Sequence, residues 1–493
     1  MIQFIKNFAL LSISTGIINI IEVITNAYIS QKIGTTVLGS YSLIMNMFNF
    51  LVTISLFGVP LAITKIVSEK DELNDDKSIV KASRIGYKIC GIISVIVCII
   101  TILFKDEICS IFLRNLQDDR IVILLALSLP FMAISSALCG YFNALRKVNE
   151  PVINEFLTHV VRSSIIVALV YLNSPTFLSF GISILISELL SFLYTYIMYK
   201  KDIKNHINTQ RYNKNSSDVT KEILRISAPI SFTSFVRSGL STLKHTLIPL
   251  RLQKFGFSYD YALSRYGLIH GIALPFILMP SIFINCFSSL ILPEYSRFYA
   301  SKNKEKIQRI TRKIFKLTFL ASLYISFIIY ISSDLLCFII YKNVEVSYYV
   351  KVLTPLICIM YIDFIVDNIL RGLDLQLDVM RINIIDVVTS IILIYFGVPY
   401  LGTFGYILVI YVSEYLNGLF SVNLLLKKIK LDFDFIDWLF APAICLFIAF
   451  YITKLLVPTA QNIISLSLSI LILTTISLSL YLLQQKTMKK NKA

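Results

Sequence analysis

The stretch "FTSFVRSGLSTLKHTLIPL" (residues 232–250) is apolar enough to cross a lipid bilayer, yet it carries Arg237, Lys244 and His245. A charge at the bilayer centre costs about 2.5–3.5 kcal/mol on insertion scales, so such residues face water or a partner and mark function. Their setting is ordered. Ser227, Ser231, Ser234, Ser238, Ser241 and His245 recur at spacings of three and four, which puts one polar stripe along a helix. Arg237 and Lys244, two turns apart, border that stripe. A helix of this kind implies a membrane protein with a wet interior.

The rest of the chain agrees. Of 493 residues, 56% are hydrophobic and only 15% charged, with a mean hydropathy of +0.74, outside the range of soluble domains. No small-residue cleavage site follows "MIQFIK", and the first apolar stretch is too long for a signal peptide, so it reads as an uncleaved helix. A span needs about 20 apolar residues. That ruler predicts fourteen, at 5–31, 40–64, 86–104, 121–144, 154–172, 176–199, 226–249, 266–291, 314–341, 350–370, 382–398, 402–426, 438–456 and 461–483. With the N-terminus in the cytoplasm, 33 of the 46 Lys and Arg residues fall on the cytoplasmic side, 10 outside and three within spans. This bias follows the positive-inside rule and places both termini in the cytoplasm.

The net charge of +16 is therefore a product of topology, with attraction to anionic membrane lipids as a consequence, and calls for no nucleic acid. Eight cysteines are scattered without metal-ligand spacing and read as small packing residues. No Walker sequence, catalytic triad or paired-carboxylate motif is present, so the expectation is a protein that is not an enzyme, with no metal and no cofactor beyond a coupling ion, H⁺ or Na⁺.

Landmarks repeat along the chain. "YSLI" at Tyr41 matches "YGLI" at Tyr266, Glu69 matches Glu294, Pro130 matches Pro355, and "NALR" at Asn143 matches "NILR" at Asn368, all 225 residues apart. "SELL" at Ser187 and "SEYL" at Ser413 follow at 226. Repeats of six spans share one orientation and are related by an axis along the membrane normal. The expected organisation is a six-helix N-lobe (1–200), a cytoplasmic linker (201–225), a six-helix C-lobe (226–428), and two added helices with a basic tail (429–493), enclosing a cavity between lobes.

The polar faces nominate site residues. Arg237 and Lys244, with Ser234 and Ser241, suit a phosphate or pyrophosphate; alternatively Arg237 pairs with Glu22, and Lys244 snorkels outward. The first helix has its own stripe, Ser12, Thr15, Asn19, Glu22 and Asn26, in which Asn19 is a substrate candidate and Glu22 either couples an ion or serves as a counter-ion. Glu155, His159 and Arg162 share one face of the fifth helix as an ion-pair set, and Asp363, Asp367 and Arg371 offer an i,i+4 pair in Asp367–Arg371. His270 is a further cavity candidate. Asn143, Arg146, Asn368, Arg371, Glu69 and Glu294, at repeated boundaries, read as gating or structural. Pro229 and Pro249 bracket the seventh helix, and Pro275 and Pro280 interrupt the eighth.

Residues 33–69 ("IGTTVLGSYSLIMNMFNFLVTISLFGVPLAITKIVSE") and 266–296 ("YGLIHGIALPFILMPSIFINCFSSLILPEYS") resemble the stage V sporulation protein B-like polysaccharide-biosynthesis family of the multidrug/oligosaccharidyl-lipid/polysaccharide (MOP) flippase superfamily. The resemblance implies an all-α polytopic fold of two six-helix lobes plus two helices. It also implies transport of polyprenyl-linked saccharides for peptidoglycan, including spore cortex, at the cytoplasmic or forespore outer membrane, with cell-wall synthesis enzymes as partners. Lipid II flippases of the superfamily carry cavity arginines on the first, second and eighth helices. Here those helices offer Glu22, Lys65 and His270, and the cationic charge lies on the seventh. A cation-coupled multidrug exporter of the same fold and a non-transporting membrane scaffold are the competing readings.

Overall fold

The computed structural model describes residues 2–73, 75–112, 119–174, 176–207, 219–301, 304–431, 433, 435–457 and 462–492. Backbone N–H and C=O groups have no water to bond within a bilayer, which leaves helices as the open-chain solution. Among the described residues the chain is helical throughout its apolar segments, with no strand. In chain order the helices are α1 (Ile2–Lys32), α2 (Thr35–Leu56), α3 (Val59–Glu72), α4 (Asp76–Leu103), α5 (Lys105–Phe112), α6 (Arg120–Ala144), α7 (Asn149–Tyr171), α8 (Thr176–Ile207) and α9 (Val219–Lys254). There follow α10 (Tyr259–Tyr266), α11 (Leu274–Leu278), α12 (Ser281–Ala300), α13 (Lys304–Tyr341), α14 (Val344–Leu353), α15 (Ile357–Gly372), α16 (Gln376–Ile429), α17 (Ala441–Leu456) and α18 (Ile463–Lys492).

Among the described residues, twelve helical stretches are long and apolar enough to cross a membrane. Two expected spans, 382–398 and 402–426, lie inside the one long α16, which is broken at Gly402 (φ 57°, ψ −136°). A side chain is strained in that backbone region, and a Cβ there would also meet the Phe255 ring at 2.9 Å. The stretch expected at 226–249 forms α9, whose polar stripe keeps it out of the twelve. α9 runs unbroken through both Pro229 and Pro249 instead of ending at them. The prolines of the eighth span do interrupt it. A π-helical turn at Gly267–Ala273 precedes Pro275, and α12 starts after Pro280.

Contacts divide the chain into two compact units. Unit 1 comprises Met1–Leu250 with Ser258–Ser264, and unit 2 comprises Arg251–Phe257 with Arg265–Ala493. α9 thus groups with the helices before it, and the division falls after Leu250 where the linker at 201–225 was the expected boundary. Its bonds explain the grouping. The Thr53 hydroxyl of α2 donates to Ser238 at 3.3 Å, and the Thr242 hydroxyl donates to the Asn46 carbonyl at 3.3 Å. Phe50 and Phe235 pack ring to ring at 5.5 Å.

The repeat is visible in each unit taken alone. In unit 1 the Thr64 hydroxyl of α3 donates to the Gly140 carbonyl of α6 at 3.0 Å. In unit 2 the Ser288 hydroxyl of α12 donates to the Phe364 carbonyl of α15 at 2.8 Å. Both bonds join residues 76 apart. Tyr41 packs on Phe180 at 4.5 Å, and Tyr266 packs on Tyr406 at 6.4 Å, pairs that the 225 and 226 offsets superpose.

The C-terminal helices attach through an aromatic and ionic anchor within unit 2. Lys316 of α13 donates to both Asp437 oxygens at 2.8 and 2.9 Å. Beside it Trp438, 1% exposed, stands edge-on to Phe315 at 5.7 Å. A hydrogen bond to a charged group contributes about 1.5–3 kcal/mol. Asp437→Asn is expected to loosen this anchor and to shift the emission of Trp438, the one tryptophan in the sequence, to longer wavelength as water reaches the indole. Unchanged emission would show that the aromatic packing holds α17 without the ion pair.

Candidate functional site

On α9 the cations stand apart from the packing face. At 100° per residue, Phe235, Ser238, Gly239 and Thr242 point toward α2, while Arg237 and Lys244 project from nearly the opposite side, flanked by Ser234 and Ser241. The expected single stripe therefore splits. Ser227 and Ser231 are buried, Ser238 bonds Thr53, and only the flanking serines stay beside the cations. Arg237 is exposed and, among the described residues, makes no ion pair or hydrogen bond, whereas Lys244 is half-buried and engaged.

Glu22 does not pair with Arg237. Its Oε1 lies 2.9 Å from Nδ1 of His159, joining α1 to α7. Two turns along α1 from Ser12, Asn19 is half-buried. The expected self-contained face of Glu155, His159 and Arg162 is corrected in the same way. Arg162 donates to Glu188 of α8 at 2.7 Å, and Glu155 stays exposed. Glu188 is 4% exposed, and Tyr41 lies within electrostatic reach of both Glu22 and Arg162. Charges spaced along one helix have found partners on two others. Glu188, which the sequence reading passed over, completes the cluster.

In unit 2, His270 sits in the π-helical turn with its ring stacked on Tyr266 at 5.1 Å. π turns concentrate at functional sites. Arg371 pairs with Asp367 at 3.6 Å as expected. Asn368 donates to the Ser288 hydroxyl at 2.7 Å, so it fastens the α12–α15 contact. Its repeat mate Asn143 is exposed, as are Arg146 and Glu69, and Glu294 pairs with Arg297 at 3.2 Å on the surface. Asp363, 8% exposed, accepts from Asn417 at 2.9 Å, and the Ser413 hydroxyl donates to Asp386 at 2.6 Å. Among the described residues no group of His, Cys, Asp and Glu is arranged to hold a metal.

A doubled helical fold with charged groups inside apolar helices defines a polytopic membrane protein of transporter type. Residues 4–254 match the family described as polysaccharide biosynthesis protein, and residues 260–396 match the MatE family. The chain belongs to the polysaccharide biosynthesis protein family. It is 23% identical over 435 residues to stage V sporulation protein B of Bacillus subtilis (strain 168), covering 86% of this chain and 82% of that protein. Its fold is similar to that of the lipid II flippase MurJ in an inward closed conformation, with a TM-score of 0.73 and 15% identity over 97% of this chain and 99% of that one. An inward-facing multidrug resistance MATE transporter of the MOP superfamily gives a TM-score of 0.61 and 13% identity over 84% and 95% of the two chains.

Proposed function

We propose that this protein carries a polyprenyl-(pyro)phosphate-linked saccharide, a lipid II-like precursor of cell-wall or spore-cortex peptidoglycan, across the cytoplasmic membrane by alternating access. Family membership and the likeness to a sporulation protein and to a lipid flippase support the reading. It takes the chain as fourteen spans with both termini cytoplasmic, acting as a transporter and not an enzyme. The observation that carries it is Arg237, an exposed guanidinium on a membrane helix with no partner among the described residues. A charge kept so at this cost has a mobile counter-ion. A lipid phosphate is that counter-ion, with Lys244, Ser234, Ser241 and Asn19 as further donors in unit 1, and His270 as a separate contact in unit 2. Glu22, held by His159, is the coupling group for H⁺ or Na⁺ in this reading, and cell-wall enzymes are the expected partners.

Native mass spectrometry of the purified protein with undecaprenyl-pyrophosphate tests it. Retention should fall about tenfold or more for Arg237→Ala and Lys244→Ala, the equivalent of losing one charged hydrogen bond each. The MatE match and the Glu22–His159 pair favour a second reading, a cation-coupled multidrug exporter. Lipid retention indifferent to both substitutions, together with a lipophilic cation bound through Glu22, would establish that reading instead.

A further inference from the structure

Unit 2 contains a stacked arginine and tyrosine that the proposed transport site does not use. Arg251 stands in the last turn of α9 and Tyr395 on α16, and both belong to unit 2. The guanidinium carbon lies 3.5 Å from the centroid of the Tyr395 ring, within the range of a cation–π contact. Stacking occupies the flat face of a guanidinium and leaves the five N–H donors around its edge available. Here none of them is used. Arg251 makes no hydrogen bond or ion pair among the described residues, and its Nε is shut off from solvent without an acceptor. A shielded donor in that state marks a partner that the chain itself does not supply.

A basic residue in the last turn of a helix also offsets the negative end of the helix dipole. That use accounts for Lys254, which is exposed and lies three residues further on. It does not account for Arg251, because a dipole acts on the charge as a whole and asks for neither the ring nor the closed-off Nε. Residues 251–257 and 395–404 hold two cations and no carboxylate.

The surroundings define the partner's chemistry. α16 is 54 residues long, about 81 Å at 1.5 Å per residue, against roughly 30 Å of hydrocarbon in a bilayer. The chain must therefore turn back at a membrane surface, and the break at Gly402 is where it does so. Phe255, in the same short segment as Arg251, packs on that break, where a Cβ on Gly402 would meet its ring at 2.9 Å. Tyr395 is 45% exposed, and Phe396, Tyr400 and Phe404 beside the break are exposed as well. Exposed aromatic rings at the end of a span mark the headgroup level of a bilayer. At that level a phosphate and an acyl chain arrive on the same molecule.

We propose that Arg251, held flat by Tyr395, binds the phosphate of an anionic membrane phospholipid at the corner of α16. Two guanidinium N–H groups suit two phosphate oxygens, and Lys254 adds charge beside them. The exposed rings around Gly402 accompany the start of the acyl chains, which a free phosphate lacks. A lipid seated there fastens the end of α9 to α16 and is a resident of the surface, not a carried molecule. The inference does not rest on the transport reading.

Native mass spectrometry of the full chain, titrated in detergent with phosphatidylglycerol or with zwitterionic phosphatidylcholine, reads the site. The wild type should hold phosphatidylglycerol about tenfold more tightly, the equivalent of one hydrogen bond to a charged group. Arg251→Gln should abolish that preference and Tyr395→Leu should reduce it, while Tyr395→Phe, which keeps the ring, should preserve it. The series is repeated on an Arg237→Ala background, where the preference and its loss should be the same. Equal retention of the two lipids by the wild type would overturn the proposal, as would a preference that survives Arg251→Gln or one that Arg237→Ala alone removes. Displacement of phosphatidylglycerol by excess inorganic phosphate would make this a site for a free anion and overturn the lipid assignment. If Arg251→Gln does not fold, Tyr395→Leu and Arg251→Lys, which loses the fork and should keep only part of the preference, decide the matter.

Discussion

Arg162→Met should destabilise the protein by about 3–5 kcal/mol, the cost of leaving a buried charge without its partner. The Arg162–Glu188 bond is 2.7 Å long, and the two side chains are 14% and 5% exposed. Glu188 cannot turn to water, so the single substitution strands it. Arg162→Met/Glu188→Leu should recover most of the loss, because two apolar side chains of similar volume need no counter-ion. A double-mutant cycle on thermal denaturation in detergent gives the coupling energy. Single-variant losses that simply add up in the double variant would mean that the bond contributes nothing. His159 adds a third member, since it lies within electrostatic reach of Glu188.

Arg237→Glu should weaken binding of a water-soluble short-chain polyprenyl-pyrophosphate about 100-fold or more. Removing a hydrogen bond to a charged group costs about 1.5–3 kcal/mol, and the introduced carboxylate adds repulsion of the same anion. Arg237→Lys should retain part of the affinity, because an ammonium keeps the charge but not the planar fork. Ser238→Ala is the control. Ser238 bonds Thr53 on the packing face of α9, so its loss should lower stability slightly and leave affinity unchanged. Equal affinity in Arg237→Glu and wild type, measured by calorimetry at low salt, would remove Arg237 from the site.

Much of the architecture was legible before any coordinates. Apolar length gave the helices, and the offset near 225 residues gave the repeat, which the Thr64–Gly140 and Ser288–Phe364 bonds display at 224. The interruption at Pro275 and Pro280 was legible too, although proline alone did not decide it, since α9 runs unbroken through Pro229 and Pro249. Partner choice was not. Helical spacing places Glu155, His159 and Arg162 on one face, but it carries no information about the helix that face meets. His159 took Glu22 and Arg162 took Glu188. For the same reason the serine stripe of α9 looked uniform in sequence, although Ser238 lies against α2 and Ser234 does not. The span ruler did separate 382–398 from 402–426, beside the break at Gly402, but it did not show that helix runs up to that glycine on both sides, with the turn confined to one positive φ.

The division of the chain carries a consequence for its biosynthesis. Each half closes a loop of the same length, 76 residues between bonded partners, so each meets a similar entropic cost of closure. The halves are nevertheless not finished in turn. Unit 1 includes α9 as far as Leu250, and Ser258–Ser264, where the hydroxyls of Thr35 and Ser264 bond at 2.6 Å. The N-terminal unit therefore stays incomplete until the ribosome has passed residue 264, well into the second repeat. A chain stalled after α8 would leave the packing face of α2 uncovered in the bilayer, a substrate for membrane quality control and not a folded intermediate.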